Sequence, residues 1–193
     1  MMNTIQAAQD ILASNPAVFD TETTGLGPDA EVIEIAAIDI DGLPLICRLV
    51  NPIGPFPYEV SQINGISGHL LKMKGRSWDW TYPEVKSLLD RYSFVAFNAS
   101  FDVRLIEQTN HVNGEEPMFT PDSEVMVFDV MELANRHFHK HLEWDEKQSK
   151  FKRLSLARCC EIAGIEFEGK AHRALVDAKA TLALLKYIAE GGE

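Results

Sequence analysis

The chain has 193 residues, 46% of them hydrophobic, enough for one domain with a proper core and too few for two comfortable ones. Its 18 basic and 29 acidic residues leave a formal net charge of −11, which argues against a protein that coats long nucleic acid non-specifically, since such binding relies on Lys and Arg neutralising phosphates. No apolar run is long enough to span a membrane and residues 1–10 are too polar for a signal peptide, so a cytoplasmic location is expected.

Ile5, Ala8, Ile11 and Leu12 recur at helical spacing and predict a short amphipathic helix ending near Asn15-Pro16. Residues 17–26, Ala-Val-Phe-Asp-Thr-Glu-Thr-Thr-Gly-Leu, then carry strand character into two carboxylates and break at Thr24-Gly25. Alternation along a strand sends Asp20 and Glu22 from the same face. Two carboxylates side by side repel each other and call for a cation, and hard oxygen ligands select Mg²⁺ or Mn²⁺. Alone, Asp-x-Glu reads first as a solvated strand end. Two acidic residues downstream, Asp102 and Asp177, weigh for the metal.

Gly27-Pro28-Asp29 marks a turn, and residues 32–38 read as a strand apolar on both faces, hence central. Asp41-Gly42 predicts a hairpin whose returning strand covers 43–50. Cys47 within it, like adjacent Cys159 and Cys160, reads as a reduced, buried cysteine, there being no CxxC pair. The proline-rich stretch 51–57 is an extended connection. Helical pieces follow over 60–66 and 67–71, and then Lys72, Lys74 and Arg76 cluster as either a solvated loop or a phosphate-contacting edge. Pro83 predicts a helix start ahead of Val85, Leu88 and Leu89, leading to a short buried strand over 94–97.

That strand delivers Asn98-Ala99-Ser100-Phe101-Asp102. Asn98 or Ser100 can cap the next helix, and Asp102 falls in its first turn, where an anion is favoured. A strand over 125–130 and a helix from 131 precede His137, His139 and His141, whose spacing suits no helix face and predicts no metal site. Residues 143–147 read as a solvated loop, closed by Lys150, Lys152 and Arg153, which could touch a substrate backbone. The whole stretch from His137 to Lys150 reads as one loop.

A helix over 154–162 ends at Gly164. The last helix, 174–189, repeats Ala174, Ala178, Leu182, Leu185 and Ile188 near a 3.6-residue period, so Asp177 starts from its core-facing side. A carboxylate there is costly unless something cationic meets it. His172 and Asp177 would sit ~140° apart on one continuous helix. Serving one site together requires His172 on the preceding loop, loosened by Gly169. A mobile histidine beside carboxylates suits a general base; standing alone it reads as a surface histidine.

In this order the pieces resemble the DEDD superfamily of 3′–5′ exonucleases, the DnaQ-like or ribonuclease-T-like fold, in its histidine subclass. The matching blocks are Phe19-Asp20-Thr21-Glu22-Thr23-Thr24-Gly25-Leu26, Asn98-x-x-Phe101-Asp102 and His172-Arg173-Ala174-Leu175-x-Asp177-Ala178. Weaker matches fill Glu34-Ile35-Ala36, Ile63-Asn64-Gly65-Ile66-Ser67, 129–136 and 154–165. The resemblance implies an α/β fold, a ribonuclease-H-like mixed five-stranded sheet flanked by helices, in a single exonuclease domain over 1–193 with its core at 16–189. Asn64 stands where many relatives carry histidine, a departure expected to leave the metal site untouched.

The resemblance also implies two Mg²⁺ ions, with Mn²⁺ able to substitute, held by Asp20, Glu22, Asp102 and Asp177, the third mostly through water. His172 would take a proton from the attacking water. Backbone groups near Thr23, Thr24 and Gly25 would meet the terminal 3′-OH, Leu26 would wedge against its base, and Asn98 would join these contacts. Phe101 would be a stacking wall or a core residue. The implied reaction releases nucleoside monophosphates from the 3′ end of DNA, preferably single-stranded. Open alternatives are an exoribonuclease or oligoribonuclease, since no residue announces a 2′-OH contact, and a proofreading-like subunit with a polymerase or repair partner. A homodimer is also open. A chain stopping at Gly191-Gly192-Glu193 is expected to favour an independent nuclease.

Overall fold

The apolar run that ends in Asp20 and Glu22 becomes the middle of a sheet. β1 (Pro16–Thr23) pairs antiparallel with β2 (Val32–Ile38), and β2 pairs antiparallel with β3 (Pro44–Leu49). On its other edge β1 runs parallel to β4 (Ser93–Ala96), which runs parallel to β5 (Val127–Asp129). The order β3-β2-β1-β4-β5 is the expected mixed, ribonuclease-H-like sheet of five strands. The computed structural model describes residues 3–167, 169 and 172–192; residues 1, 2, 168, 170, 171 and 193 of the expected 1–193 span lie outside them.

Alternation along β1 splits the core into two layers. Ala17 and Phe19 pack with α4 (Trp78–Leu89) and α5 (Ala99–Asn113), and the Phe19 ring stacks on Phe94 at 4.6 Å. Val18 packs on the opposite face with α1 (Thr4–Ala13), α6 (Val130–His137), α7 (Leu156–Ala163) and α8 (Ala174–Ala189). Every residue of β2 is buried, as its uninterrupted apolar run predicts. Two short helices, α2 (Tyr58–Asn64) and α3 (Gly68–Lys74), close the end of the sheet around Ile33, Ile66 and Leu71.

The structure corrects several sequence expectations. Pro83 does not start its helix: α4 begins at Trp78, which is buried and donates its indole N–H to Asn110 of α5 at 2.8 Å. That contact holds the first turn, and Pro83 is carried inside without its backbone hydrogen bond. Lys72 and Lys74 belong to α3 itself. Cys47 is exposed, unlike Cys159 and Cys160, because β3 is an edge strand and Cys47 points away from the face that buries Ile46. His137 is structural, bonding Thr4 Oγ1 at 2.8 Å and the Gly192 carbonyl at 2.6 Å.

Part of the expected loop at 143–147 is a strand. β6 (Trp144–Asp145) and β7 (Lys150–Phe151) form an antiparallel hairpin. The Trp144 and Phe151 rings meet edge to face at 5.1 Å, and Asp145 Oδ1 accepts from the Lys147 and Gln148 N–H groups to close the turn. A cross-strand aromatic pair with an Asp-closed turn has no helical or alternating period to announce it.

Candidate active site

Asp20 and Glu22 leave the end of β1 on the face that packs against α8, and Asp177 meets them from the first turn of that helix. One carboxylate oxygen from each of the three lies within 4.8 Å of the other two. The β1–β2 register slips just here, so that Glu22 opposes Glu34 while Thr23 opposes Val32. Such a bulge bends the strand and re-aims the side chains beside it.

Crowding of like charge in a desolvated corner shows in the carboxyls themselves. Burial, then the charges of Asp102, Asp177, Glu22 and Glu34, hold Asp20 well above the usual carboxylate range. Burial and Asp177 push Glu22 up to about 7, against a hydrogen bond from Asn64 that pulls it down. Burial also raises Asp177, with the nearby His172 opposing it. Asp177 Oδ1 is buried and has no hydrogen-bond partner among the described residues. A bare buried oxygen among converging carboxylates fits a hard divalent cation, which would supply the missing positive charge and oxygen-seeking coordination.

Asp102 comes from the other layer. Its Oδ1 accepts the Thr21 hydroxyl at 2.7 Å and the Thr21 N–H at 3.1 Å, and Thr21 points away from α8 because it alternates with Asp20 and Glu22. Asp102 is therefore absent from the three-carboxylate group, although its charge reaches Asp20. Burial pushes it up to about 7, against the Thr21 hydrogen bonds.

His172 sits on the loop before α8, exposed, with φ of 61°. This left-handed turn, uncommon for a residue with a side chain, lets its N–H donate to Asp177 Oδ2 at 3.2 Å. Next to it, Arg173 forms a bidentate pair with Glu34, Nη2 to Oε1 at 2.6 Å and Nε to Oε2 at 2.9 Å. Glu34 Oε2 also accepts the Ala174 N–H at 3.0 Å, capping a helix whose own N-cap residue supplies no side-chain bond. The start of α8, with Asp177 and His172, is thus tethered to β2. Sequence reasoning placed Glu34 and Arg173 in family blocks without a role. The available signal was an acidic residue in an apolar, buried strand, where a carboxylate needs a partner.

The remaining candidates lie at and just after the end of β1 and at the start of α5. Thr23 Oγ1 donates to the Gly25 carbonyl at 2.8 Å, and Thr24 exchanges bonds with the Glu31 backbone. A Cβ added at Gly25 would meet nothing within 4 Å, and Leu26 is 78% exposed beside it. Phe101 is partly buried against the core with the Arg104 guanidinium 5.2 Å from its ring. Asn98 occupies the N-cap position of α5, but its side chain makes no capping bond. Its φ of 67° suits an asparagine and turns its N–H to Asp129 Oδ1 at 3.1 Å. Asn64 does touch the site, contrary to expectation: it is buried, and its Nδ2 donates to Glu22 Oε2 at 3.4 Å.

A family model described as an exonuclease, RNase_T, matches residues 17–185, from the first acidic strand to the last helix. The chain belongs to the RNase_T exonuclease family. The exonuclease is 35% identical over 190 residues, 97% of this chain and 94% of the relative, to an uncharacterized exonuclease, CP81, of Escherichia phage 186. It is 29% identical over 174 residues to a DNA polymerase III PolC-type protein of Clostridium perfringens, a match covering 88% of this chain and 11% of that one. Its fold overlies that of zinc-bound E. coli exonuclease I in complex with single-stranded DNA, with a TM-score of 0.74 and 20% identity, covering 92% of this chain and 41% of that one. The exonuclease thus spans well under half the length of these last two proteins.

Proposed function

We propose that the exonuclease is a single domain that removes nucleotides stepwise from the 3′ end of DNA, preferably single-stranded, releasing nucleoside monophosphates. The observation that carries this reading is the convergence of Asp20, Glu22 and Asp177 within 4.8 Å around a buried, unpartnered carboxylate oxygen. A pair of Mg²⁺ ions held there, with Mn²⁺ able to substitute, would supply a lowered pKa for an attacking water and positive charge for the phosphate and the leaving oxygen. Asp20, Glu22 and Asp177 would be direct ligands, and Asp102 would act through water from its place against Thr21.

His172 takes the proton from the attacking water. Its exposed turn gives the imidazole room to reach solvent, while its backbone N–H bond keeps it beside Asp177, and a free imidazole nitrogen can accept a proton from water. Thr23, Thr24 and the open space at Gly25 would receive the terminal 3′-OH, Leu26 would wedge against the last base, and Asn98 and Phe101 would flank it. A DNA substrate draws support from the exonuclease I complex with single-stranded DNA and from the PolC-type polymerase relative. The polymerase relative also supports a second reading, in which the same chemistry edits 3′ ends beside a polymerase.

The test is incubation with Mg²⁺ or Mn²⁺ and two 5′-labelled single strands of one sequence, DNA and RNA, alongside Asp20→Ala and an EDTA control. A DNA ladder shortening from its 3′ end, absent from both controls, is expected. Preferential RNA shortening would move the function to RNA processing. Cleavage that persists in Asp20→Ala would overturn the site assignment, and activity only on adding a polymerase would favour the editing role.

A further inference from the structure

The β6–β7 hairpin and its flanks concentrate positive charge on an otherwise acidic chain. Residues 136–153 hold six of the 18 basic residues against three acidic ones, Glu143, Asp145 and Glu146, while the whole chain carries −11. Arg136, Lys140, Lys147, Lys150, Lys152 and Arg153 are all exposed. Among the described residues Lys152 reaches Glu143 at 3.6 Å, and the other five make no ion pair. Two large aromatics stand among them, Trp144 53% and Phe151 54% exposed, each resting on the other. Cations that track a phosphate backbone beside aromatic faces on which bases stack are the two components of single-strand binding.

The hairpin is also placed to receive a strand. Phe151, Lys152 and Arg153 form one wall of a cavity of about 310 Å³, and Glu132 and Arg136 of α6 form the other. The Leu154 N–H donates to Asn135 Oδ1 at 2.9 Å and fixes this wall to the helix. Glu132 lies in the first turn of α6, capped by Asp129, the carboxylate that also holds the Asn98 N–H at the start of α5. The groove therefore begins where α6 leaves β5, two strands and so ~10 Å across the sheet from β1, which carries Asp20 and Glu22.

We propose that this hairpin binds the single-stranded part of the substrate lying upstream of the 3′-terminal nucleotide. The strand runs from the carboxylates past the start of α6, stacks bases on Trp144 and Phe151, and meets Arg136, Lys150, Lys152 and Arg153 with its phosphates. This rests on the 3′-end exonuclease reading. It also explains how a chain of net charge −11 holds a polyanion: the cations are gathered where the strand passes.

The test compares the full-length protein with a Trp144→Ala/Phe151→Ala variant and a Lys150→Gln/Lys152→Gln/Arg153→Gln variant. Substrates are a p-nitrophenyl ester of thymidine monophosphate, too short to reach the hairpin, a trinucleotide and a dodecanucleotide. Both variants should hydrolyse the ester and the trinucleotide as the parent does, while KM for the dodecanucleotide rises about 10-fold or more. In the charge variant the slope of log Kd against log salt should flatten by about 0.7 per cation removed. Anisotropy of a labelled dodecanucleotide on the metal-free protein reads the same loss of affinity without turnover. That measurement separates the hairpin from the reaction: unchanged dodecanucleotide affinity and salt slope in both variants overturn the proposal and leave the hairpin as a protein-facing surface, whereas weakened binding with no hydrolysis of any substrate by the parent sustains the hairpin and overturns the nuclease reading.

Discussion

Two helices bring an aspartate in their first turn to β1 from opposite faces, and the fold treats the two differently. Asp102 of α5 is almost wholly buried, and its Oδ1 accepts two hydrogen bonds from Thr21. Asp177 of α8 accepts one from the His172 N–H and keeps a buried Oδ1 with no partner among the described residues. The protein thus completes Asp102 by itself and leaves Asp177 short of a positive charge. The first carboxylate is braced inside the fold, and the second is left with an acceptor open to a ligand.

The widest divergence is expected on deleting each carboxylate. Asp177→Ala should take turnover of a labelled DNA strand to background while leaving metal-free melting unchanged or raised, because it removes a repelled charge. Asp102→Ala should lower metal-free stability by about 1–3 kcal/mol, since it strands two buried Thr21 donors. Denaturant titration in EDTA measures both, and equal losses would erase the distinction.

On the Asp177 side, His172→Ala should lose roughly 10²–10⁴ in rate and still bind Mn²⁺ by calorimetry. Vanished Mn²⁺ binding would make His172 a ligand rather than a base. Glu34→Gln removes the charge that clamps Arg173 and caps α8. Supporting residues of this kind cost about 10–100-fold in metal affinity when replaced, and an Mn²⁺ titration that matched the parent would reduce the Glu34–Arg173 pair to a surface contact.

The smallest effect is on pH. Glu22 and Asp102 have folded values raised to about 7, above the ordinary 4.5 and 3.8 of their types. The folded chain therefore keeps protons that the unfolded chain has released, and the stability this gives is complete below the unfolded values and lost as pH rises through about 7. Metal-free melting should accordingly be higher at mildly acidic pH than at pH above 7, and saturating Mg²⁺ should flatten the slope by favouring the charged forms. A metal-free protein that gained stability across that rise would contradict the crowding of these carboxyls.

Much of this site was legible in the sequence. Asp20 and Glu22 on one face and Asp177 turned inward on a helix over 174–189 follow from local periodicity, His172 on the loop before it follows once the two serve one site, and the mixed sheet of five strands follows from the family resemblance, with which the count of strands agrees. The aromatic hairpin at 144–151, the start of α4 at Trp78 and the contact from Asn64 to Glu22 were not legible. Each depends on a partner that only folding brings near: Phe151 for Trp144, Asn110 for the Trp78 indole, the end of β1 for Asn64.

The sequence by itself determined which carboxylates share a face, because side-chain direction along a strand or helix is set within a few residues by backbone geometry. Only the tertiary structure decided which of them are already satisfied. Thr21 reaches Asp102 across 81 residues and Arg173 reaches Glu34 across 139. Pairs so far apart in the chain are chosen by how layers pack on the two faces of the sheet, and no local repeat records that choice.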